Sequence, residues 1–329
     1  MSNSRLKIRS SRAKHRTINA AFAGICVLIV FALVSRGAAS AQSQPALQYQ
    51  FTPINFPGAV STAAQAINDK GEIVGVYASS SNTARQRGFL KTDQGMVTFD
   101  YPGGDSVATT LTGINSKGDI IGLHSVASGP TLIPVQGFIY DGSRFTDIHV
   151  PGGAGYTRLN GINDAGDLVG SLSEGDTEGF LYSNTGFSQI AYPDQYIAMT
   201  TPLGINNGGA IVGAIDCIGG GCETGFLLAN GQYSKISMPD PNAAYTVAYA
   251  INNRGHIAGI WEDANFFGRG FVEIDGKFTS IEFPGAQFPN GMTAVAGINE
   301  HDVIVGTYYG GDCVNGWRGC GFVATPRKQ

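Results

Sequence analysis

An all-β fold made of six four-stranded antiparallel units is the structure that this sequence predicts. Three observations support it: a glycine-rich composition with little charge, a ten-residue motif that occurs six times, and an N-terminal segment that supplies a strand missing from the last copy. Of the 329 residues, 47 are glycine, 43% are hydrophobic and only 14% are charged. This composition excludes a disordered chain, which needs low hydrophobicity and high net charge.

The recurring motif has the pattern G-I-N-x-x-G-x-I-V-G with small variations. It occupies residues 66–75, 113–122, 161–170, 204–213, 250–259 and 297–306. Its asparagines, which lie 47, 48, 43, 46 and 47 residues apart, are Asn68, Asn115, Asn163, Asn206, Asn252 and Asn299. A Gly-Phe pair repeats in phase with the motif, beginning at Gly88, Gly137, Gly179, Gly225, Gly270 and Gly321. A period of this length is typical of solenoids and propellers.

One copy is predicted to form four short antiparallel strands. In the first copy, residues 62–67 and 72–77 are strands, and the turn between them begins at Asn68 and ends at Gly71, residue types that suit a tight connection. A variable loop follows. Gly88 then begins a third strand, and residues 96–101 form the fourth. Four strands per repeat is the pattern of a propeller blade.

The two ends of the chain predict a closed ring. The sixth copy stops after Val323, before its fourth strand, while residues 50–58 closely resemble residues 276–285, which form a fourth strand. We therefore predict a six-bladed β-propeller whose last blade is completed by an N-terminal strand near residues 48–57. A linear β-solenoid is the alternative, but an open stack would need polar caps. The predicted repeats lie near residues 58–102, 103–151, 152–193, 194–239, 240–284 and 285–325 of one domain, residues 42–329.

These repeats resemble the bacterial extracellular HAF-repeat family, whose units carry a G-I-N-x-x-G-x-[IV]-V-G segment followed by a His-Ala-Phe triplet. Here the triplet is replaced by x-Gly-Phe, as at residues 87–89. The resemblance covers nearly all of residues 46–325. It implies an extracellular, propeller-like repeat protein, and it implies no shared activity or catalytic residues.

Residues 1–41 are predicted to be a cleaved signal peptide. They contain a basic head, an apolar run at residues 20–34 and a small-residue cleavage site at residues 39–41. The predicted location is therefore secreted, either extracellular or periplasmic. The alternative is an N-terminal membrane anchor, although the apolar run is shorter than the roughly 20 residues that span a bilayer.

Removal of this segment changes the charge of the protein. It takes away seven of the 21 Lys and Arg residues and none of the 25 Asp and Glu residues, which moves the formal net charge from −4 to −11. Nucleic acid and anionic membranes are therefore poor partners, and we expect no nucleic-acid binding. No stable membrane span remains after cleavage, and we expect a monomer.

A ligand site is predicted on the propeller face that carries the variable loops between each motif and its Gly-Phe pair. Loops that vary on a rigid frame are where a specific site can be built. The candidate ligand-binding residues are Trp261, Phe266, Tyr308, Trp317, Asp216, Glu262, Asp263, His124 and Arg87. Rings beside carboxylates suit a glycan or a protein partner. The alternative is that the rings cover the blade ends and the acids are solvated.

A non-catalytic protein without a cofactor or metal is the favoured functional prediction. The sequence has no G-x-S-x-G, H-E-x-x-H or Walker motif. The alternative is a polysaccharide-active hydrolase or lyase at the mouth of the central channel. Asp216 and Glu262 would be its paired carboxylates and His124 its base.

Two further sets of residues have predicted roles. The cysteines Cys217, Cys222, Cys313 and Cys320 form two even pairs, and in an exported protein these predict disulfides that pin long loops, although other pairings remain open. A threonine lies six residues before each motif asparagine, at Thr62, Thr109, Thr157, Thr200, Thr246 and Thr293. These hydroxyls either ring the channel mouth or bind nearby backbone; we favour the second role.

Overall fold

The computed structural model describes residues 48–79, 86–103, 107–128, 131–151, 157–172, 179–218, 223–286, 291–310, 313 and 319–327. The regular secondary structure of these residues is entirely β-strand. No membrane-crossing helix was found among them.

The strands are numbered in chain order and grouped below by sheet. The first half of the chain contains β1 (Tyr49–Ile54); β2 (Ser61–Ile67), β3 (Ile73–Ala78), β4 (Arg87–Thr92) and β5 (Gly95–Thr98); β6 (Val107–Ile114), β7 (Ile120–Ser128), β8 (Thr131–Tyr140) and β9 (Phe145–Ile148); and β10 (Thr157–Ile162), β11 (Leu168–Leu172), β12 (Gly179–Ser183) and β13 (Gly186–Ile190). The second half contains β14 (Ile197–Ile205), β15 (Ile211–Cys217), β16 (Glu223–Ala229) and β17 (Gln232–Ile236); β18 (Ala243–Ile251), β19 (Ile257–Asp263), β20 (Gly268–Ile274) and β21 (Lys277–Ile281); and β22 (Met292–Ile298), β23 (Ile304–Tyr309) and β24 (Cys320–Pro326).

Six four-stranded antiparallel sheets form the blades of a β-propeller, as predicted. Blades 1 to 5 each use four consecutive strands, beginning with β2, β6, β10, β14 and β18. Blade 6 has the order β1-β24-β23-β22, so its outer strand comes from the N-terminal side of the domain. Tyr49 is paired with Pro326 and Ile54 with Gly321 in this closing pair. The prediction that the N-terminal strand completes the last blade is therefore confirmed.

The glycines of the repeat make room for the phenylalanine at the centre of each blade. Phe89 is fully buried in blade 1. A Cβ added to Gly75, the last glycine of the first motif, would lie 2.1 Å from the carbonyl oxygen of Ala63 and 2.9 Å from the Phe89 ring. The corresponding glycine in each of the other five blades makes the same close approach to a carbonyl and a phenylalanine ring. The last glycine of each motif and the phenylalanine of each Gly-Phe pair are thus required by the packing of the blade.

The six motif asparagines form a closed ring of hydrogen bonds on one end of the propeller. We call this end the turn face, because the turns between the first and second strands of the blades lie there. Each asparagine donates its side-chain N–H to the backbone carbonyl of the asparagine in the next blade, over 3.0–3.2 Å. The last of these bonds runs from Asn299 to the carbonyl of Asn68 and joins blade 6 to blade 1. The repeated asparagine therefore holds neighbouring blades together as well as shaping its own turn.

The six threonines are structural, as we favoured. Each Oγ1 accepts a hydrogen bond from the backbone N–H of the residue that precedes a proline at the exit of the previous blade, over 2.9–3.3 Å. All six threonines are buried. Their hydroxyls therefore bind the chain between blades and do not ring the channel mouth.

Replacing Thr109 by Val is expected to destabilise the protein by about 1–3 kcal/mol, because the backbone N–H of Tyr101 loses the hydroxyl that accepts its hydrogen bond while the side-chain shape is kept. Urea denaturation measures the change. Thr146→Val, an exposed position on β9, is the matched control and should stay within about 0.5 kcal/mol of the parent. Equal stability of the two variants would contradict the structural role of the threonines.

Candidate functional site

The loop face is the end of the propeller opposite the turn face, where the second and third strands of each blade are joined. Three of the predicted ligand residues, His124, Trp261 and Tyr308, occupy one equivalent position beside it. Each is paired in register with a repeat threonine, at Thr109, Thr246 and Thr293. Their exposed fractions are 6%, 5% and 1%. The rings are therefore packed inside the blades, contrary to the expectation that they face a ligand.

The ring at this position packs against the residue that precedes the proline at the exit of the previous blade. Tyr308 stacks on Phe283 with ring centroids 3.6 Å apart, and His124 stacks on Tyr101 at 3.9 Å. Tyr77 stacks on Phe56 in the same way in blade 1. A stacked aromatic pair between blades is thus a recurrent element of the core.

His124 cannot serve as the exposed base that the enzyme alternative requires. Its Nε2 lies 3.4 Å from Asp147 Oδ1, and neither atom makes a hydrogen bond to another described residue. Burial lowers the pKa of His124, while the nearby Asp147 carboxylate opposes the shift. The imidazole of His124 thus takes the position that a packed aromatic ring has in other blades, and its Nε2 faces Asp147 on the outer strand β9.

Arg87 also has a structural partner. Its Nε donates to Asp100 Oδ2 over 2.6 Å, and the other oxygen of Asp100 accepts the backbone N–H of Gly88. This ion pair ties the start of β4 to the exit of blade 1. The guanidinium remains half exposed, but its charge is balanced within its own blade.

Trp261 and Asp263 line a groove of about 600 Å³ on blade 5, which we call the blade-5 groove. The groove lies between the chain entering the blade and the loop that joins β19 to β20. Its hydrogen-bonding side chains are Asp240, Asn242, Asp263, Asn265, Arg269, Ser280 and Glu282, with Trp261 at the base. Two of the predicted residues therefore meet in one concavity, and Glu262 and Phe266 are close to them in sequence.

Arg269 organises the base of the blade-5 groove. Its guanidinium carbon lies 4.9 Å from the centre of the Trp261 ring, and its nitrogens are 3.4 Å from Asp263 and 3.3 Å from Glu282. Trp261 donates its indole N–H to Ser280 over 3.3 Å. The cation thus covers the indole and is balanced by two carboxylates, so Trp261 supports the site rather than stacking on a ligand.

The loop beside this groove presents Phe266 to solvent. Asp263 Oδ1 accepts the backbone N–H groups of Asn265 and Phe267, and the carbonyl of Asp263 accepts the N–H of Phe266. Phe266 has a φ of 63°, which is uncommon for a residue other than glycine. Its side chain is 67% exposed, with its ring 5.7 Å from that of Tyr245. Non-glycine residues held at a positive φ cluster at functional sites, which makes Phe266 a candidate contact residue.

Asp216 and Glu262 belong to a group of carboxylates with raised pKa values. Burial raises the pKa of all three members, Asp216, Glu223 and Glu262. The charges of Asp216 and Glu262 raise the pKa of Glu223 further, and Asp263 does so for Glu262. Asp216 and Glu223 are paired in register across β15 and β16. Glu223 is thus close enough to Asp216 and to Glu262 for the charge of each to act on it, and the pairing of Asp216 with Glu262 itself stays a prediction.

The central channel contains a cavity of about 330 Å³. Each inner strand has a β-bulge three residues before its motif asparagine, and the bulged residues all line the cavity: Gln65, Thr112, Asn160, Leu203, Tyr249 and Ala296. Arg158 and Tyr309 complete the polar part of the wall. Sequence analysis missed Arg158 and Tyr249, although both are large side chains at positions that are smaller in most other copies.

One predicted disulfide is present between Cys313 and Cys320, with a Cα–Cα distance of 5.7 Å. Cys217 is also disulfide-bonded, but its predicted partner Cys222 lies outside the described residues, as does Trp317. No group of three or more potential metal ligands occurs among the side chains that the structure describes.

Comparison with known proteins gives similarities of fold alone. No family model and no curated protein matches the chain. A virginiamycin B lyase from Staphylococcus aureus is similar at 13% identity and a TM-score of 0.44, over 84% of this chain and 99% of that one. TolB from Acinetobacter baumannii is 12% identical with a TM-score of 0.45, over 82% and 64%. The six-bladed fucose-binding lectin of Aleuria aurantia is 12% identical with a TM-score of 0.42, over 68% and 77%.

Proposed function

We propose that this protein is an exported, non-catalytic propeller that binds a glycan in the blade-5 groove. The observation that carries the proposal is a concave site of about 600 Å³ whose lining combines several hydrogen-bonding side chains with small apolar ones and whose edge adjoins an exposed aromatic loop. Ligand sites of this size combine convergent polar groups with apolar surface.

A polyhydroxylated, neutral ligand suits the charges of this groove. Arg269 is balanced by Asp263 and Glu282, so the groove does not require an anion. The carboxylate and amide oxygens of Asp240, Asn242 and Asn265 can accept hydrogen bonds from sugar hydroxyls. The exposed ring of Phe266 offers the apolar surface that the C–H face of a sugar needs.

A disulfide supports the exported location that is part of this proposal. A disulfide such as Cys313–Cys320 persists in oxidising compartments and is rare in the cytosol. Glycans of cell surfaces and of the surrounding medium are accessible to a secreted protein. The cleaved signal peptide and the relationship to HAF-repeat proteins are parts of the same proposal.

A glycan array, followed by calorimetric titration of the best binder, tests the proposal. Phe266→Asn removes the ring with a residue that tolerates positive φ, and Asn265→Ala removes an amide. We expect each to weaken binding by about tenfold, the equivalent of about 1.4 kcal/mol. Tyr196→Ala removes an equally exposed ring from the neighbouring blade and should bind like the parent. Failure of the parent to bind any glycan, or unchanged binding by both groove variants, would exclude the site.

A polysaccharide hydrolase or lyase at the channel mouth is the second candidate. The raised pKa values of Asp216, Glu223 and Glu262 favour it, because a carboxyl group that keeps its proton nearer neutral pH can act as a general acid. Product analysis of the glycan mixtures decides between the two functions. Cleavage products that disappear in Glu223→Gln would replace the binding function by the enzymatic one.

A further inference from the structure

The central cavity is widest on the side of the loop face. Its volume is about 330 Å³ there, about 90 Å³ where the bulged residues meet a ring of six isoleucines, and about 70 Å³ at the asparagine ring. The inner strands run towards the turn face, so the rising residue numbers of the three linings give this order. Ligand pockets begin at about 300 Å³. The wide part of the cavity therefore suits one small molecule.

Two large polar side chains in the wide part depart from the repeat. Arg158 lies five residues before its motif asparagine, where the other copies have alanine, threonine or valine. Tyr249 lies three residues before its own motif asparagine, where the other copies have smaller side chains. The four blades that lack both residues form the same inner strand with the same bulge. The fold therefore requires neither side chain, and both are available for a ligand.

Arg158 brings a positive charge into this cavity without a counter-charge. Among the described residues that line the cavity it is the only charged one, and no aspartate or glutamate is present. Its exposed guanidinium makes no ion pair or hydrogen bond with any other residue that the structure describes. By contrast, an acid lies no more than 3.4 Å from each of Arg87, Arg144, Arg254 and Arg269. The N–H donors of the Arg158 guanidinium can therefore all serve an anionic ligand.

Uncharged hydrogen-bond donors line the same cavity. The Tyr249 hydroxyl and the Gln65 amide make no hydrogen bond with another described residue. Burial raises the pKa of the Tyr249 phenol, and the charges of Glu223 and Glu262 raise it further. The charge of Arg158 lowers it. Since the pKa remains raised, the phenol keeps its proton at neutral pH and can donate a hydrogen bond to an anion.

The remainder of the wall includes an apolar part. Its side chains are small or branched aliphatic groups: Ala63, Leu203, Ala294, Val295 and Ala296. Sulfate is a dianion facing one guanidinium, and it has no apolar surface to place against these residues. A carboxylate on a small carbon skeleton matches both the single positive charge and the apolar wall. The lining therefore favours an organic acid over an inorganic anion.

We propose that the central cavity binds a small organic monocarboxylate, with the carboxylate held by the Arg158 guanidinium and the Tyr249 hydroxyl and the carbon skeleton against the alanines of blades 1 and 6. A planar guanidinium presents paired N–H groups that match the two oxygens of a carboxylate. The cavity and the blade-5 groove share no lining residue among those described. The inference therefore does not depend on the glycan proposal.

Calorimetric titration of the protein with lactate, hexanoate, benzoate and gluconate, at low salt and neutral pH, tests this inference. At least one of these carboxylates is expected to bind saturably. Its primary amide keeps the carbon skeleton without the charge and is expected to bind about tenfold more weakly or worse. Sulfate and phosphate should also bind more weakly than that carboxylate. The proposal is overturned if none of the four carboxylates binds, or if the amide or the inorganic anions bind as well as the carboxylate.

Variants locate the bound carboxylate. Arg158→Met removes the charge and is expected to weaken binding about tenfold or more. Tyr249→Phe removes only the hydroxyl and should weaken binding less than Arg158→Met does. Arg144→Met makes the same substitution at an exposed arginine of blade 2 and should bind like the parent. Thermal denaturation checks that each variant is folded. Parent-like binding by either folded cavity variant would place the ligand elsewhere and overturn the proposal.

Discussion

Replacing Asn163 by Ala is expected to destabilise the protein by about 2–4 kcal/mol, a loss far larger than one exposed asparagine should cause. The buried side chain makes four hydrogen bonds. Its Oδ1 accepts the N–H groups of Ala165 and Asp167, and its Nδ2 donates to the Asp167 carboxylate and, in the next blade, to the carbonyl of Asn206. Alanine removes all four of these bonds, including the buried one to the carbonyl of Asn206.

A second substitution tests the hydrogen bond from Asn163 to the next blade separately from the hydrogen bonds by which Asn163 shapes its own turn. Asn163→Asp keeps an acceptor for the turn but places a negative charge against the Asp167 carboxylate and the Asn206 carbonyl. It is expected to be strongly destabilising at neutral pH. Like-charge repulsion raises the pKa of the new carboxyl in the folded state above its unfolded value of about 3.9. The stability that Asn163→Asp loses should therefore become smaller as the pH falls through the raised pKa of the new carboxyl. Below that pKa the carboxyl is protonated and can again donate a hydrogen bond.

Guanidinium or urea denaturation at several pH values measures both effects. Asn184→Ala, an exposed position in the turn between β12 and β13, is the matched control and should change stability by less than about 0.5 kcal/mol. The ring would be shown to contribute nothing if Asn163→Ala were as stable as Asn184→Ala. A deficit in Asn163→Asp that did not change with pH would contradict the placement of its carboxyl beside Asp167.

The architecture was predictable because the same residue types occupy the same structural positions in each blade. Glycine at the point where a phenylalanine meets a carbonyl, asparagine at the turn and threonine in the first strand of the blade recur in every copy. Comparison of the six internal copies therefore reveals both the period and the missing strand. The role of the asparagine between blades was not predictable, because its partner lies 43 to 48 residues away, or 231 residues at the ring closure.

The exposure that we expected for the predicted ligand residues Trp261 and Tyr308 was wrong, and the reason lies in where the loops begin. The variable loops were taken to begin directly after the last glycine of each motif, but that glycine lies inside a strand. β3 continues to Ala78, β19 to Asp263 and β23 to Tyr309. The second residue after the glycine therefore points into the blade, which buries Trp261 and Tyr308. Residues further along, such as Phe266, are in true loops and are exposed.

One departure from the repeat shows how neighbouring copies compensate. In blades 1 to 3 the motif asparagine donates to an acid in its own turn, such as Glu72. Blade 5 has His256 at that position, and the acid is supplied by Asp302 of blade 6, which accepts from Asn252 over 3.2 Å and lies 2.7 Å from His256 Nδ1. Asp302 stands where the other motifs have glycine and has a φ of 55°. A single repeat read alone would show this aspartate only as an irregularity.

Replacing Ile54 by Ala in the closing strand is expected to cost about 2–5 kcal/mol. Ile54 is 3% exposed and packs in one cluster with Ile67, Ile73 and Phe89 of blade 1 and with Val305 of blade 6. It therefore completes the core between the last blade and the first. Truncation removes apolar surface from that junction and leaves a cavity that the twisted sheets can only partly fill.

The comparison with Ile281→Ala makes this prediction sharper. Ile281 is the equivalent residue of blade 5, where the outer strand follows directly from its neighbour along the chain; it is also 3% exposed. If β1 is held as firmly as β21, the two variants should lose the same free energy of unfolding to within about 1 kcal/mol. Thr52→Ala, on the exposed side of β1, should change it by less than about 0.5 kcal/mol. A small loss in Ile54→Ala beside a full loss in Ile281→Ala would mean that the ring is not closed by its N-terminal strand in solution.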